Sequence, residues 1–310
     1  MKKPFKHAVD SLLHNRRHFV FAIFRRVPWI IPNDKLYLKI YYRLAMKKPL
    51  NLENPTTFNE KLQWLKLYNR HPEYVQLVDK FLVKKYVANK IGDEFVIPTI
   101  GSWKSPKDID WDMLPNRFVL KTNHDGGGNG IVVCRDKLTL NKRKALRELN
   151  HSFRRNTFLI GREWPYKKVQ KRVFAEKYIE DSTLNDLRDY KFLCFNGEPK
   201  LLYVATERNK AERVKFDFFD MNFNHLDIRN DHPMGEERLE KPLTFEQMKS
   251  IAAILSKGMP QVRIDFYEVD GHLYFGEFTF FHLGGTGSFQ PEEWDAILGS
   301  WIELPKEIRQ

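Results

Sequence analysis

A chain of 310 residues, 42% hydrophobic and 14% aromatic, can bury a sizeable core and divide into two or three subdomains, which excludes a chain too polar to fold. Its 52 Lys and Arg against 40 Asp and Glu leave a formal charge of +12. Such a surface attracts polyanions such as nucleic acid, acidic lipid or acidic glycan, and charge alone does not choose among them.

Residues 1–54 read as a basic helical extension. Arg25, Arg26 and Pro28 interrupt its apolar stretches before any reaches the ~20 residues of a membrane-spanning helix. HFVFAIFRRV also lacks the unbroken apolar centre and small-residue cleavage site of a signal peptide, so a cytoplasmic chain is expected. Arg16, Arg17, Arg25, Arg26, Lys35 and Lys39 alternate with Phe19, Phe21, Phe24, Trp29 and Tyr37. That composition suits either a helix packed on the core or a segment resting on the inner face of an anionic membrane. Cys134 and Cys194 sit in strand-like runs and read as buried reduced thiols, in keeping with a reducing compartment.

Thr57 with Glu60 three residues later predicts a capping box for an amphipathic helix in FNEKLQWLKLYN, with Leu62, Trp64 and Leu65 facing inward. A second helix is expected through YVQLVDKFLVKKYVANKI, stopped by Gly92. Short apolar strands then follow at FVIPTIG, RFVLKT, GIVVCR, VFAEKYI, YKFLCF, PKLLYVAT and VKFDFFD, with helices near residues 139–155 and 244–257. The pattern is α+β with largely antiparallel pairing, and there is no repeat or low-complexity tract.

Two segments carry chemistry. In RFVLKTNHDGGGNGIVVCR a strand enters a glycine-rich tip and returns as a strand, so backbone N–H groups can lie against phosphate oxygens without a Cβ in the way. No Lys-Ser/Thr ending or helix follows, which excludes a P-loop. Lys121 alternates with Phe118 and Leu120 and projects from the opposite face, where it can meet a phosphate. In VRIDFYEVDGHLYFGEFTFFHLGGTGSF, Arg263, Asp265 and Glu277 interrupt two apolar strands. A two-residue turn at Asp270-Gly271 would put Asp265 and Glu277 on opposite faces. A three-residue loop with Gly271 left-handed pairs 265 with 275 and 263 with 277, making Asp265 and Glu277 diagonal neighbours on one face, about 7 Å apart. There they suit one or two magnesium ions completed by triphosphate oxygens, and the GGTG run at residues 284–287 suggests close approach to a ligand.

Together these segments resemble an ATP-grasp protein, and more closely the TupA-like branch associated with teichuronopeptide and other surface-polysaccharide biosynthesis. The resemblance runs over residues 55–305 through FNEKLQWLK, FVLKTNHDGGG, DYKFLCFNG, VRIDFY, FGEFTF and LGSWIELP. It implies two small α+β subdomains whose antiparallel sheets sandwich ATP, a glycine-loop part near 117–175 and a metal-site part near 176–305. It makes Lys121 a phosphate contact, Gly126, Gly127 and Gly128 the lid, and Glu176, Lys177, Tyr178 and Ile179 the adenine hinge with Glu180 at the ribose. Asp265 and Glu277 become the Mg2+ ligands, and Lys191, Arg263 and Asp189 face the reacting phosphate. Thr279 stands where many ATP-grasp enzymes have Asn, so a third metal contact is in doubt. His282 and Thr279 are placed for the acceptor, unless His282 is an ordinary surface residue.

The implied reaction is ATP-dependent amide formation through an acylphosphate, joining an amino acid or peptide to an acidic saccharide or glycan precursor, with no nucleic acid partner expected. A kinase acting on a sugar hydroxyl would instead need Asp189 or His282 as general base. A glycosyltransferase lacks its Asp-X-Asp motif here, and a non-enzymatic polyanion binder would rest on charge alone.

Overall fold

The computed structural model describes residues 16–126, 128–182, 187–207, 214–235 and 238–306. Helices α1 (Arg16–Arg26) and α2 (Asp34–Met46) form a hairpin, with Phe24 stacked on Tyr37 and Phe21 packed on Tyr41. Three of the aromatics read as membrane-facing or core-facing from sequence are therefore turned towards the core. Helix α3 (Phe58–Tyr68) begins with the expected capping box between Thr57 and Glu60. It is less amphipathic than expected, because Asn59, Gln63 and Lys66 are buried along with its apolar residues.

The next helix is broken where a single one was expected, into α4 (Tyr74–Val78) and α5 (Val83–Ile91). Asp79 is the cause. Its Oδ1 accepts from the backbone N–H of Phe81 and Leu82, competing with the helical ladder, while its Oδ2 accepts from Asn123. The break turns Lys80 out of helical register.

Strands β1 (Thr99–Trp103), β2 (Phe118–Thr122), β3 (Ile131–Cys134) and, after helices α6 (Lys142–Arg154) and α7 (Thr157–Gly161), β4 (Val173–Lys177) build a four-stranded antiparallel sheet in the order β1-β4-β2-β3. Its edge strand β1 precedes residue 117, and β4 runs to Lys177. Phe118, Leu120, Val173 and Ala175 alternate into a small core under α6, which leaves Lys121, Phe174 and Glu176 on the other face.

A six-stranded antiparallel sheet follows, in the order β11-β10-β5-β6-β7-β8. Its strands are β5 (Asp189–Phe195), β6 (Glu198–Thr206), β7 (Lys215–Phe219), β8 (His225–Leu226), β10 (Gln261–Val269) and β11 (His272–Thr279). Helix α8 (Phe245–Ser256) packs on it through Phe245, Met248, Ala252 and Leu255. Strand β9 (Arg229–Asn230) pairs with β12 (Phe289–Gln290), and α9 (Glu293–Ser300) packs against α3. The large sheet and the helices α2–α5 share one extensive core, separate from the small one. The two sheets have separate cores, and charged side chains of each meet lysines of one connecting segment, Glu277 with Lys80 and Glu176 with Lys84. Both cysteines are buried free thiols. Among the described residues, no helix is long and apolar enough to cross a membrane.

Candidate nucleotide site

The carboxylate hairpin reaches the anticipated outcome by another route. Val269 pairs with His272, so the turn has two residues, and Asp270 (φ 50°) and Gly271 (φ 74°) both take the positive φ of a type I′ turn. The three-residue loop and its 263–277 pairing are therefore corrected. A β-bulge at Gly276 slips the register between Phe266↔Phe275 and Asp265↔Glu277, which brings the two acids directly opposite each other rather than diagonally. Arg263 pairs with Thr279 in the ladder. A Cβ on Gly276 would come within 3.0 Å of the Asp265 carbonyl oxygen, so the tight bulge suits glycine.

Around these acids lies a dense ionic cluster. Arg263 donates to Asp265 through Nε (2.6 Å) and Nη2 (2.7 Å), and Nη2 also reaches Glu277 Oε1 at 3.0 Å. Lys191, aligned with Asp265 across β5 and β10, joins Asp265 to Asp189, with its ammonium 2.5 Å from Asp189 Oδ2. Lys80, released by the helix break, contacts the other oxygen of Glu277. Burial opposes ionisation of Glu277, but Lys80, Arg263 and Lys191 outweigh it and hold the carboxyl far below its usual range. Thr279 donates weakly to Glu277 Oε1 at 3.3 Å and so buttresses the acid.

Lys84, four residues after Lys80, meets Glu176 at 2.5 Å, and Lys121 meets the other Glu176 oxygen at 2.5 Å. One segment of α5 and its approach thus links the acid of the large sheet to the acid of the small one. Burial works against ionisation of Glu176, yet Lys121 and Lys84 hold it below its ordinary value. Lys80 and Lys84 were missed in the sequence. The available signal was the pair of lysines one helical turn apart behind Asp79.

The glycine loop is tied at its base. The backbone N–H of Lys80 donates to the Asn123 carbonyl, Gly126 N–H donates to Asp125 Oδ1, and Ser152 donates to Asp125 Oδ2 at 2.9 Å. Added Cβ atoms on Gly126 and Gly128 would meet open space, and Gly127 lies outside the described residues. Lys177 ends β4; beyond it Tyr178 stacks under Arg117, which pairs with Glu180 at the surface, and Ile179 lies between them.

His282 is neither surface nor pocket lining. It is buried, with Nε2 2.6 Å from Asn230 Oδ1 and Nδ1 3.4 Å from Arg263 Nη1. Asn230 donates its amide to the Ser288 carbonyl, which leaves its oxygen for the histidine. The imidazole therefore donates from Nε2 and accepts from Arg263 as a neutral ring, and burial with Arg263 nearby keeps its pKa well below the usual value. Tyr203 accepts from the same guanidinium nitrogen at 3.0 Å. The GGTG glycines are likewise explained by packing. Asn59, Gln63 and Lys66 of α3 donate to the carbonyls of Gly287, Gly285 and Gly284 at 2.9, 2.7 and 2.7 Å, and a Cβ on Gly285 would strike Gln63.

Magnesium suits this donor set. It favours a few carboxylate oxygens completed by phosphate, and Asp265 and Glu277 offer opposed carboxylates, paired here with Arg263, Lys191 and Lys80. Among the described residues no three His, Cys, Asp or Glu gather into a group that could hold a metal ion. Five cations (Lys80, Lys84, Lys121, Lys191, Arg263) face four acids (Glu176, Asp189, Asp265, Glu277), a surplus of one that favours an anionic nucleotide.

Two antiparallel sheets, a glycine hairpin on one and paired acids on the other, joined by lysines across the cleft, define an ATP-grasp protein. The model of the TupA-like ATP-grasp family matches residues 60–303, and the chain belongs to that family. Among solved structures, D-alanine–D-alanine ligase from Bacillus anthracis is 18% identical with a TM-score of 0.40, the match covering 66% of this chain and 57% of that one. The Helicobacter pylori D-alanine–D-alanine ligase is 14% identical with a TM-score of 0.40, over 79% of this chain and 69% of that one. The ATP-grasp ligase PsnB, complexed with minimal precursor, Mg and ADP, is 10% identical with a TM-score of 0.36, over 88% of this chain and 65% of that one. No curated protein matches the chain.

Proposed function

We propose that the protein is an ATP-dependent carboxylate–amine ligase working through an acylphosphate, with an acidic saccharide or glycan precursor as one substrate and an amino acid or peptide as the other. The observation that carries this reading is the ionic network from Glu277 through Lys80 and Lys84 to Glu176 and Lys121, which spans the cleft where a triphosphate would lie. Lys121 and Lys84 would meet phosphate oxygens once Glu176 is shared with the nucleotide site, with the glycine loop that carries Gly126 and Gly128 above them. Asp265 and Glu277 would hold magnesium, which when bound would neutralise phosphate charge.

Arg263 and Lys191 then face the γ-phosphoryl group, lowering the repulsion met by an incoming carboxylate oxygen. That oxygen bonds to the γ-phosphorus as the bond to ADP breaks. An amine attacks the acyl carbon, phosphate departs, and the amine's proton is lost to solvent. No general base is needed for the first step, because the nucleophile is already ionised. This favours a ligase over a kinase. Asp189 is committed to Lys191, and His282 is a buried neutral buttress of Arg263, so neither is placed to deprotonate a hydroxyl.

An acidic acceptor is supported by charge. The exposed face of α6 presents Arg147, Asn150, His151 and Arg154 around a shallow, open depression, and Arg155 just beyond it has Nε 3.6 Å from Asp125 beside the glycine loop. The decisive assay follows ADP and phosphate while candidate amino acids and uronate oligosaccharides are screened. Release of phosphate together with a new amide is expected. Transfer of phosphate to a stable product would instead make the protein a kinase.

A further inference from the structure

We propose that the tip of the α1–α2 hairpin is a docking surface for an anionic lipid bilayer, with Trp29, Ile30 and Leu36 entering the headgroup layer and Arg25, Arg26, Lys35 and Lys39 facing the lipid phosphates. Trp29, Ile30 and Leu36 are 63, 66 and 51% exposed, and Val20 and Ile23 on α1 are also exposed. Five large apolar side chains are open to water within 17 positions, and exposed apolar surface concentrated in one segment ordinarily marks an interface.

Their exposure is built in rather than incidental. The buried Arg162 donates to the carbonyls of Pro28 and Ile31 at 2.7 Å each, on both sides of the Trp29-Ile30 pair, and lies 4.2 Å over the Tyr37 ring. Tyr37 in turn donates to the Ile160 carbonyl at 2.9 Å. A fixed backbone therefore presents the two side chains outward while Phe21 and Phe24 hold the hairpin to the core.

Charge selects the partner. Between residues 16 and 46 the sequence carries seven Lys or Arg and one acid. That acid, Asp34, is turned inward to Arg70 at 3.0 Å and Arg162 at 3.6 Å. The exposed surface is thus cationic and apolar at once, with an indole at its tip. An anionic bilayer interface matches all three properties, since indoles favour the headgroup level and basic side chains favour acidic lipid. A protein partner would have to supply both a greasy socket and a ring of acids.

The test is co-sedimentation of the full chain with vesicles of phosphatidylcholine alone and with about 30% phosphatidylglycerol. Binding is expected only to the anionic vesicles and should weaken with salt. Trp29→Ser/Ile30→Ser should reduce partitioning about tenfold or more. Lys35→Ser/Lys39→Ser should reduce it about fivefold per cation. Both variants should keep the parent's melting temperature and nucleotide binding. Failure of the parent to bind anionic vesicles, or full binding by the Trp29/Ile30 variant, overturns the proposal. So does a concentration-dependent dimer abolished by that variant, which would make the face a contact between copies. A Trp29 contribution already shielded from a soluble quencher without vesicles would mean that residues 1–15 cover the patch, with the same consequence. None of these outcomes bears on the ligase reading, which concerns the cleft.

Discussion

Replacing Lys80 by Met removes one ammonium and keeps most of the stem, and two effects of different size should follow. The Lys80 and Glu277 side chains are 17 and 30% exposed, so solvent screens the pair and its loss costs ~1 kcal/mol or less of folding stability. That corresponds to a melting shift of about 4 °C or less. Nucleotide binding should suffer more. A charge-assisted contact to phosphate is worth ~1.5–3 kcal/mol, so ATP affinity should fall about 10- to 150-fold. Magnesium should behave in the opposite sense, because Lys80 and the metal compete for the same Glu277 oxygen, and the half-saturating magnesium concentration should drop. Calorimetric titration with ATP at fixed magnesium, paired with ADP-release kinetics across magnesium concentrations, reads both quantities. An ATP affinity within about twofold of the parent in a folded Lys80→Met protein would refute the placement of Lys80 in the nucleotide cleft.

Asp265→Asn and Glu277→Gln should separate by stability. Asp265 is 1% exposed and bound by Arg263 and Lys191, so the amide removes one acid from a buried ionic network and should cost ~3 kcal/mol or more in urea unfolding, whereas the partly exposed Glu277 should cost ~1 kcal/mol. Both should abolish magnesium-dependent ADP release. Stability should also fall on acidification. Burial together with Lys171 lowers His124 to about 4, and burial with Arg263 holds His282 well below its usual value, so the unfolded chain takes up protons near pH 6.5 that the native state refuses. The loss therefore begins as pH drops below about 6.5 and continues to about 4 for His124, at up to ~1.4 kcal/mol per pH unit for each ring; His124→Asn should halve the slope of urea midpoint against pH. Arg147→Ser/Arg154→Ser should raise KM for a uronate oligosaccharide about 5- to 150-fold, roughly 1–3 kcal/mol in total, while ATP affinity stays unchanged. Equal loss for a neutral saccharide would remove the charge argument.

Local physics determined much of this molecule. The Thr57–Glu60 capping box, the alternation that sends Lys121 away from Phe118 and Leu120, and the glycine hairpin depend on neighbours within a few residues, so the sequence alone carries them. Only the tertiary structure decided where distant groups meet. The break at Asp79 is held by Asn123, 44 positions away, and it delivers Lys80 and Lys84 to acids on different sheets. The register that opposes Asp265 and Glu277 arises from a bulge, and periodicity does not reveal an extra residue in a strand. His282 and the 284–287 glycines look like a ligand loop until α3 is seen donating into it and Asn230 fixing the ring. Propensity and pattern act along the chain, whereas an ionic cleft is assembled across it, from partners whose proximity is set by two separate cores.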